Sequence, residues 1–189
     1  MQTPLTLRRW HRDEYDRLVG LGVFQGEPLE LIGGQLVVAE PQGPYHASAI
    51  TRVDYALRAV VPAGWLVRVQ APVSLDEESE PEPDLAVVPG QPGDYRDAHP
   101  MHPVLVVEIA ESSLDLDRGG KGSLYARAGV PDYWIVNLME GLVEVYRDPG
   151  PDASAAFGSS YRSVTRLAPP ASVAPVALGG PIAVADLLP

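Results

Sequence analysis

Apolar positions along the chain switch between helical and strand periods, and the switches divide it into elements. Over 6–21, Leu7, Trp10, His11, Leu18 and Leu21 recur at helical spacing. Thr6 serves as the cap, and Arg8, Arg9, Arg12 and Arg17 take the remaining surface. LELI and QLVV flank the Gly33-Gly34 pair, two short apolar runs that read as a hairpin. A second helix is expected over 46–61, burying Ala49, Ile50, Val53, Leu57 and Val61. Strands follow at 65–73, at 85–88 before Pro89-Gly90, and at 103–110. The last of these, PVLVVEIA, is nearly continuous apolar, as a central strand is.

The helical period returns over 114–128 and stops at Gly129, in the position of a C-terminal cap. Gly119, Gly120 and Gly122 loosen this segment around Lys121, each interior glycine costing about 1 kcal/mol relative to alanine. DYWIVNL and LVEVYRD pair around a Met-Glu-Gly turn, YRSVTRL adds an edge strand, and a Pro-rich tail over 168–189 drapes across the surface. With no repeat or linker, residues 1–189 form one α/β domain on a mixed sheet.

Composition narrows the function classes. The 189 residues include 46% hydrophobic positions, enough for a globular core. There is no cysteine, which removes disulfides, thiolate metal sites and thiol catalysis and fits a cytoplasmic setting. The N-terminal stretch carries charges where a secretory apolar region would lie, and prolines interrupt the longest uncharged run, so no membrane span is expected. Fourteen basic residues stand against 25 acidic ones, a net charge of -11. A chain this acidic can engage nucleic acid only locally, through a metal or a small basic patch.

All but one of the basic residues are arginine, and Lys121 is the exception. Lysine offers a compact, tunable charge that arginine's fork does not, although chance survival on a solvated helix explains a lone lysine equally well. Asp84 immediately precedes one strand, and Glu108 lies near the end of another. If those strands are antiparallel neighbours, both acids reach the same rim of the sheet, and the helix bearing Lys121 folds back over it. An acid within VLVVEIA needs a partner or a metal, because burying it bare is costly. Two carboxylates and a lysine at one sheet edge suit a divalent cation and a positioned water or phosphate.

These residues resemble the PD-(D/E)XK nuclease superfamily, with Pro83-Asp84 as the "PD". More narrowly, PEPDLAVV, VVEI, Lys121 with Tyr125 four residues on, and AGVPDYWIVN resemble the Uma-type family of restriction-endonuclease-like proteins. LELIGGQLV and the helix led by His46 match as well, so the likeness covers about 5–147. It departs from the superfamily motif at Ala110, where the lysine usually stands; Lys121 is a migrated lysine, further along the chain. The resemblance implies a restriction-endonuclease-like core with an N-terminal helix and hairpin. It implies Mg²⁺ or Mn²⁺ on Asp84, Glu108 and the Ile109 carbonyl, Lys121 placing the attacking water, and Glu30 completing the site. The implied reaction is phosphodiester hydrolysis on DNA by a homodimer; the alternative is an inactive binding or assembly module of the same fold.

Other readings carry less. Apart from Asp84, the acids of DEESEPEPD read as a solvated loop, which beside a DNA cleft would repel phosphates. GGKGS fails as a phosphate loop, since Asp115 and Gly122 occupy positions that need glycine and a hydroxyl residue. His99 and His102 make a poor zinc pair without cysteine or a helical frame. His46 caps, packs or contacts a phosphate at its helix N-terminus. Tyr125 lies one turn beyond Lys121 and either packs in the core with Trp10, Trp65, Trp134 and Tyr133 or lines the site. An Asp84/Glu108 acid–base pair acting on a glycoside needs no lysine, and metal dependence separates it from nuclease chemistry.

Overall fold

A computed structural model describes residues 6–39 and 42–189. Its centre is a six-stranded mixed sheet in the order β3-β4-β5-β6-β7-β8. The strands are β3 (Trp65–Val69), β4 (Leu85–Pro89), β5 (Leu105–Ala110), β6 (Asp132–Asn137), β7 (Leu142–Pro151) and β8 (Ser159–Leu167). Only β5 and β6 run parallel, because the segment between them is a helical crossover rather than a turn. In the β4/β5 pair Leu85 faces Val107, antiparallel as expected, and one step further along the register Asp84 comes opposite Glu108.

One face of the sheet packs under α2 (Pro44–Val60), whose Ala49, Ile50, Val53 and Leu57 are buried. They meet Leu85, Val87, Leu105, Val107 and Ile109 in the larger core. On the opposite face, Val106 and Ala110 pack with Tyr125, Ala126, Tyr133 and Tyr161. Glu108 shares a strand face with Val106 and Ala110, since side chains alternate along a strand, so its acid interrupts this second apolar layer.

The N-terminal helix, α1 (Arg12–Gly20), starts later than expected. His11, not Thr6, stands at its N-cap with Glu14 closing a capping box, and the first five residues lie outside the described ones. Leu7 and Leu21 are exposed, and Tyr15 is the buried anchor. Tyr15, four residues after His11 and three before Leu18, is held by a hydrogen bond from its hydroxyl to the Leu29 carbonyl (2.6 Å). The hairpin forms as read, β1 (Leu29–Ile32) against β2 (Gln35–Val38). Gly33 and Gly34 take positive φ of 55° and 75° at its turn, a conformation open to glycine at little cost. The strand expected over 65–73 ends at Val69, where Gln70 turns with a φ of 45°.

One surface expectation holds in part and another is overturned: of the acids read as a solvated loop, Glu77 and Glu82 are exposed, Asp76 and Glu78 half-buried and Glu80 buried. The acidic run is strapped to the hairpin: Leu31 and Glu80 form a bridge, and the Gly33 amide donates to Ser79 Oγ. Glu80 itself is buried, accepting from Ser74 Oγ at 2.6 Å. Interleaved serines and prolines let the run turn inward where a plain charge run would stay in water. The Pro-rich tail does not drape over the surface. It forms β9 (Ser172–Val173), β10 (Ile182–Ala183) and α5 (Val184–Leu187), and sends Val173, Leu178, Ile182, Val184 and Leu187 into the main core. Buried Asp132 clamps it by accepting from the Val176 amide and from Arg147, which also donates to the Ala174 carbonyl.

The crossover helix is three segments: α3 (Leu114–Leu116), a π-helical turn (Asp117–Lys121) and α4 (Gly122–Arg127). Within the turn the Gly122 amide reaches back to the Asp117 carbonyl, which also accepts the Tyr133 hydroxyl at 3.0 Å. A β-carbon at Gly122 would lie 3.0 Å from that carbonyl oxygen, so glycine permits the wide turn. Arg118 ties the turn to β7 through buried Glu144, its Nε donating to Oε2 at 3.0 Å. Among the described residues no helix is long and apolar enough to cross a membrane.

Candidate active site

The rim shared by the start of β4 and the end of β5 opens into a pocket of about 800 Å³. Four elements deliver its charged floor: Glu30 from β1, Asp84 ahead of β4, Glu108 from β5, and Asp117 with Lys121 from the π-helical turn. All five side chains are buried, and His46 enters half-buried from the first turn of α2.

Lys121 Nζ lies 3.1 Å from Glu108 Oε1 and 3.3 Å from Glu30 Oε2. Glu108 Oε1 also accepts the Tyr125 hydroxyl at 2.7 Å, so Tyr125 is a fully buried core residue that supports Glu108 from behind the pocket. The Asp84 amide faces Glu108 Oε2 at 3.4 Å, and the Ile109 amide donates to Asp84 Oδ2 at 2.8 Å. His46 Nε2 is 3.2 Å from Asp84 Oδ1, which Gln42 Nε2 also approaches at 3.3 Å. Thus Asp84, Glu108, Lys121, Glu30, Ile109, His46 and Tyr125 all converge. His99 instead lies 3.9 Å from Glu80 and contacts Arg68.

Electrostatics follow from placing these acids out of water. Burial pushes the Glu108 carboxyl up to about 8, against the opposing pull of Lys121, with Asp117, Asp84 and Glu30 adding to the rise. Burial likewise raises Asp117 to about 6, with Ser113 and Lys121 resisting. For Lys121 burial acts downward, yet Glu108, Glu30 and Asp117 outweigh it and hold the ammonium above the ordinary lysine value. Burial would also depress His46, but its contact with Asp84 turns the net shift upward. One ammonium faces four carboxyls, so the pocket holds more negative charge than the chain's own cations balance.

That surplus, and the donor chemistry, fit a hard divalent cation. Among the described residues no three His, Asp or Glu side chains stand ready as a complete ligand group. Asp84 and Glu108 line the pocket beside Ile109, whose amide donates to Asp84 Oδ2. Mg²⁺ accepts so few protein ligands because it dehydrates reluctantly and keeps several waters.

Sequence reasoning missed Asp117, Gln42 and Glu82, all of which line the pocket. For Asp117 a signal existed: an acid four residues before the single lysine shares its helix face. Gln42 and Glu82 carried none, because only the folded hairpin and loop bring them to the rim.

Comparison with known proteins agrees with this architecture. A family model described as "Uma2: Putative restriction endonuclease" matches residues 12–177. A solved structure titled as "a putative nuclease belonging to DUF820" from Anabaena variabilis is similar in fold. It has a TM-score of 0.58 and 17% sequence identity, over 84% of this chain and 88% of that one. None of the curated proteins matches.

Proposed function

The chain belongs to the family described as "Uma2: Putative restriction endonuclease", and from that premise we propose that it hydrolyses phosphodiester bonds of DNA with a bound Mg²⁺ or Mn²⁺. The observation that carries the reading is the convergence of Asp84, Glu108 and Lys121 in one pocket, with Glu30 holding the ammonium from the far side. Asp84, Glu108 and the Ile109 carbonyl would hold the metal. When bound it supplies charge that offsets the phosphate and polarises a coordinated water.

The chain's own residues do the remaining work. Lys121, kept charged by its two carboxylates, orients a water or steadies a phosphate oxygen as a point-charge donor. Tyr125 fixes the Glu108 rotamer by donating to Oε1, with Oε2 facing the Asp84 amide. His46 and Gln42 set the plane of Asp84, and His46 sits where a phosphate would meet the N-terminus of α2. A homodimer acting on both strands of a duplex belongs to the same reading.

One feature favours the alternative of an inactive binding or assembly module: Glu111, Asp115 and Glu82 add acid around the pocket mouth, against the approach of DNA. Supercoiled plasmid separates the two. Nicking and linearisation with Mg²⁺ or Mn²⁺, absent with EDTA and lost in Glu108→Gln and Lys121→Ala, would establish the nuclease. Cleavage that survives both substitutions would refute the site, and a wild type that cuts no DNA while folded would refute the activity.

A further inference from the structure

Lys121 places a water but cannot deprotonate it. Its ammonium is buried between Glu108 and Glu30, and both acids hold it in the charged form. A hydrolytic site also needs somewhere for the water's proton to go. Asp84 oxygens each face protein donors, Ile109 on one side and His46 with Gln42 on the other. Glu30 takes Lys121 and the Glu82 amide, and Glu108 takes Lys121 and Tyr125.

Asp117 stands differently. Its carboxylate is buried in the same pocket, and Ser113 Oγ donates to Oδ2 at 2.5 Å. Among the described residues no donor meets Oδ1. Its backbone is pinned where the carbonyl accepts both Tyr133 and Gly122, so the carboxylate is carried by a fixed turn and not a mobile loop. The wide turn sets Asp117 and Lys121 into one pocket from a single element.

We propose that Asp117 is the proton acceptor for the attacking water, an assignment that rests on the hydrolytic reading above. As the water oxygen's lone pair forms the new P–O bond, its proton passes to Asp117 Oδ1. The electron pair of the breaking P–O bond stays on the leaving oxygen, which takes a proton from solvent, and Asp117 returns its own to solvent afterwards. The groups that set its proton affinity are Lys121 on its own turn, Ser113 before α3, Asp84, Glu30 and Glu108 from the strands, and His46 from α2. Burial, with Asp84 and Glu30, raises the carboxyl to about 6 against the pull of Ser113 and Lys121, high for an aspartate and near the working pH of a base.

The test follows single-turnover plasmid cleavage from pH 5 to 9 with Mg²⁺ for wild type, Asp117→Asn and Ser113→Ala. Mn²⁺ calorimetry and carboxyl ¹³C NMR of the metal-free proteins accompany it. Wild-type rate should rise with pH along a limb at or below about 6, since a bound cation would lower the Asp117 carboxyl from its metal-free value. Asp117→Asn should slow cleavage by about 100-fold or more and flatten that limb, with Mn²⁺ affinity changed by less than about threefold. Ser113→Ala should move the limb to higher pH, because it deletes a donor that lowers the Asp117 carboxyl. The NMR signal missing from Asp117→Asn should titrate near 6 in the wild type. An Asp117→Asn enzyme with the wild-type rate and limb overturns the assignment alone. So does a loss of Mn²⁺ affinity of about tenfold or more, which would make Asp117 a ligand, or titration in the ordinary aspartate range. A wild type that cleaves nothing overturns the nuclease reading and this assignment with it.

Discussion

Replacing Lys121 with methionine tests the electrostatic account of the pocket without any catalytic assay. Methionine keeps the length of the stem and removes the ammonium, so Glu108 and Glu30 lose contacts of 3.1 and 3.3 Å. Breaking a buried ion pair by deleting one partner costs about 3–5 kcal/mol, because the other charge is left uncompensated. Glu108 has an escape, however: it can take up a proton. A carboxyl raised from 4.5 to about 8 stabilises the fold fully below pH 4.5, and that contribution is lost as pH rises through 8. At pH 6 the wild-type Glu108 carboxyl is already protonated, so the substitution costs chiefly the Glu30 contact, about 1.5–3 kcal/mol. At pH 9 Glu108 is ionised in the wild type and must either stay bare in the variant or be protonated at about 1.4 kcal/mol per pH unit. The full cost of about 3–5 kcal/mol should then appear. Urea unfolding in EDTA, followed by tryptophan fluorescence, reads both values. A cost equal at pH 6 and pH 9, or larger at pH 6, would refute the coupling of Glu108 to Lys121.

Two further substitutions probe neighbouring parts of the structure. Tyr125→Phe deletes the donor to Glu108 Oε1 (2.7 Å) and should cost about 1–3 kcal/mol in urea midpoint analysis, more at pH 9 than at pH 6 because the acceptor is then charged. Gly179→Ala would place a β-carbon 2.0 Å from the Val60 carbonyl oxygen, so the tail must shift off the end of α2. It should lower stability by about 2–4 kcal/mol and expose the segment after Leu167 to limited proteolysis, and a protease-resistant variant of unchanged stability would contradict the docked tail.

The elements legible from periodicity were those whose burial is set by near neighbours. β5 reads as a central strand because both of its faces are covered, giving six buried residues in a row. α2 showed its stripe because one face meets one sheet. The tail failed on the same principle. Val173, Leu178, Ile182 and Leu187 are spaced by prolines and glycines with no period, and what buries them is a sheet that must form first and α2, more than a hundred residues earlier. The late start of α1 is similar: Leu7 and Trp10 imitate a helical stripe, while the chain there pairs with the hairpin, the Trp10 amide donating to the Gly34 carbonyl at 2.9 Å.

The site was legible to the extent that isolation in composition marked its residues. Glu108 stood out as an acid inside an apolar strand, Lys121 as the single lysine, and Asp84 as the acid that opens a strand. Asp117 sits among Asp115 and Arg118, where a charged helix surface is the ordinary reading, and an α-helix through three glycines gave no reason to choose it. What buries Asp117 is the π-helical turn, and the turn depends on Gly122 together with a tyrosine from β6 that satisfies the freed carbonyl. Gly122, which as a helix residue only weakens, thus has a structural purpose. It permits the wide turn through which the lysine and a second carboxylate enter the pocket from one element, one holding its proton and the other open at Oδ1 to receive one.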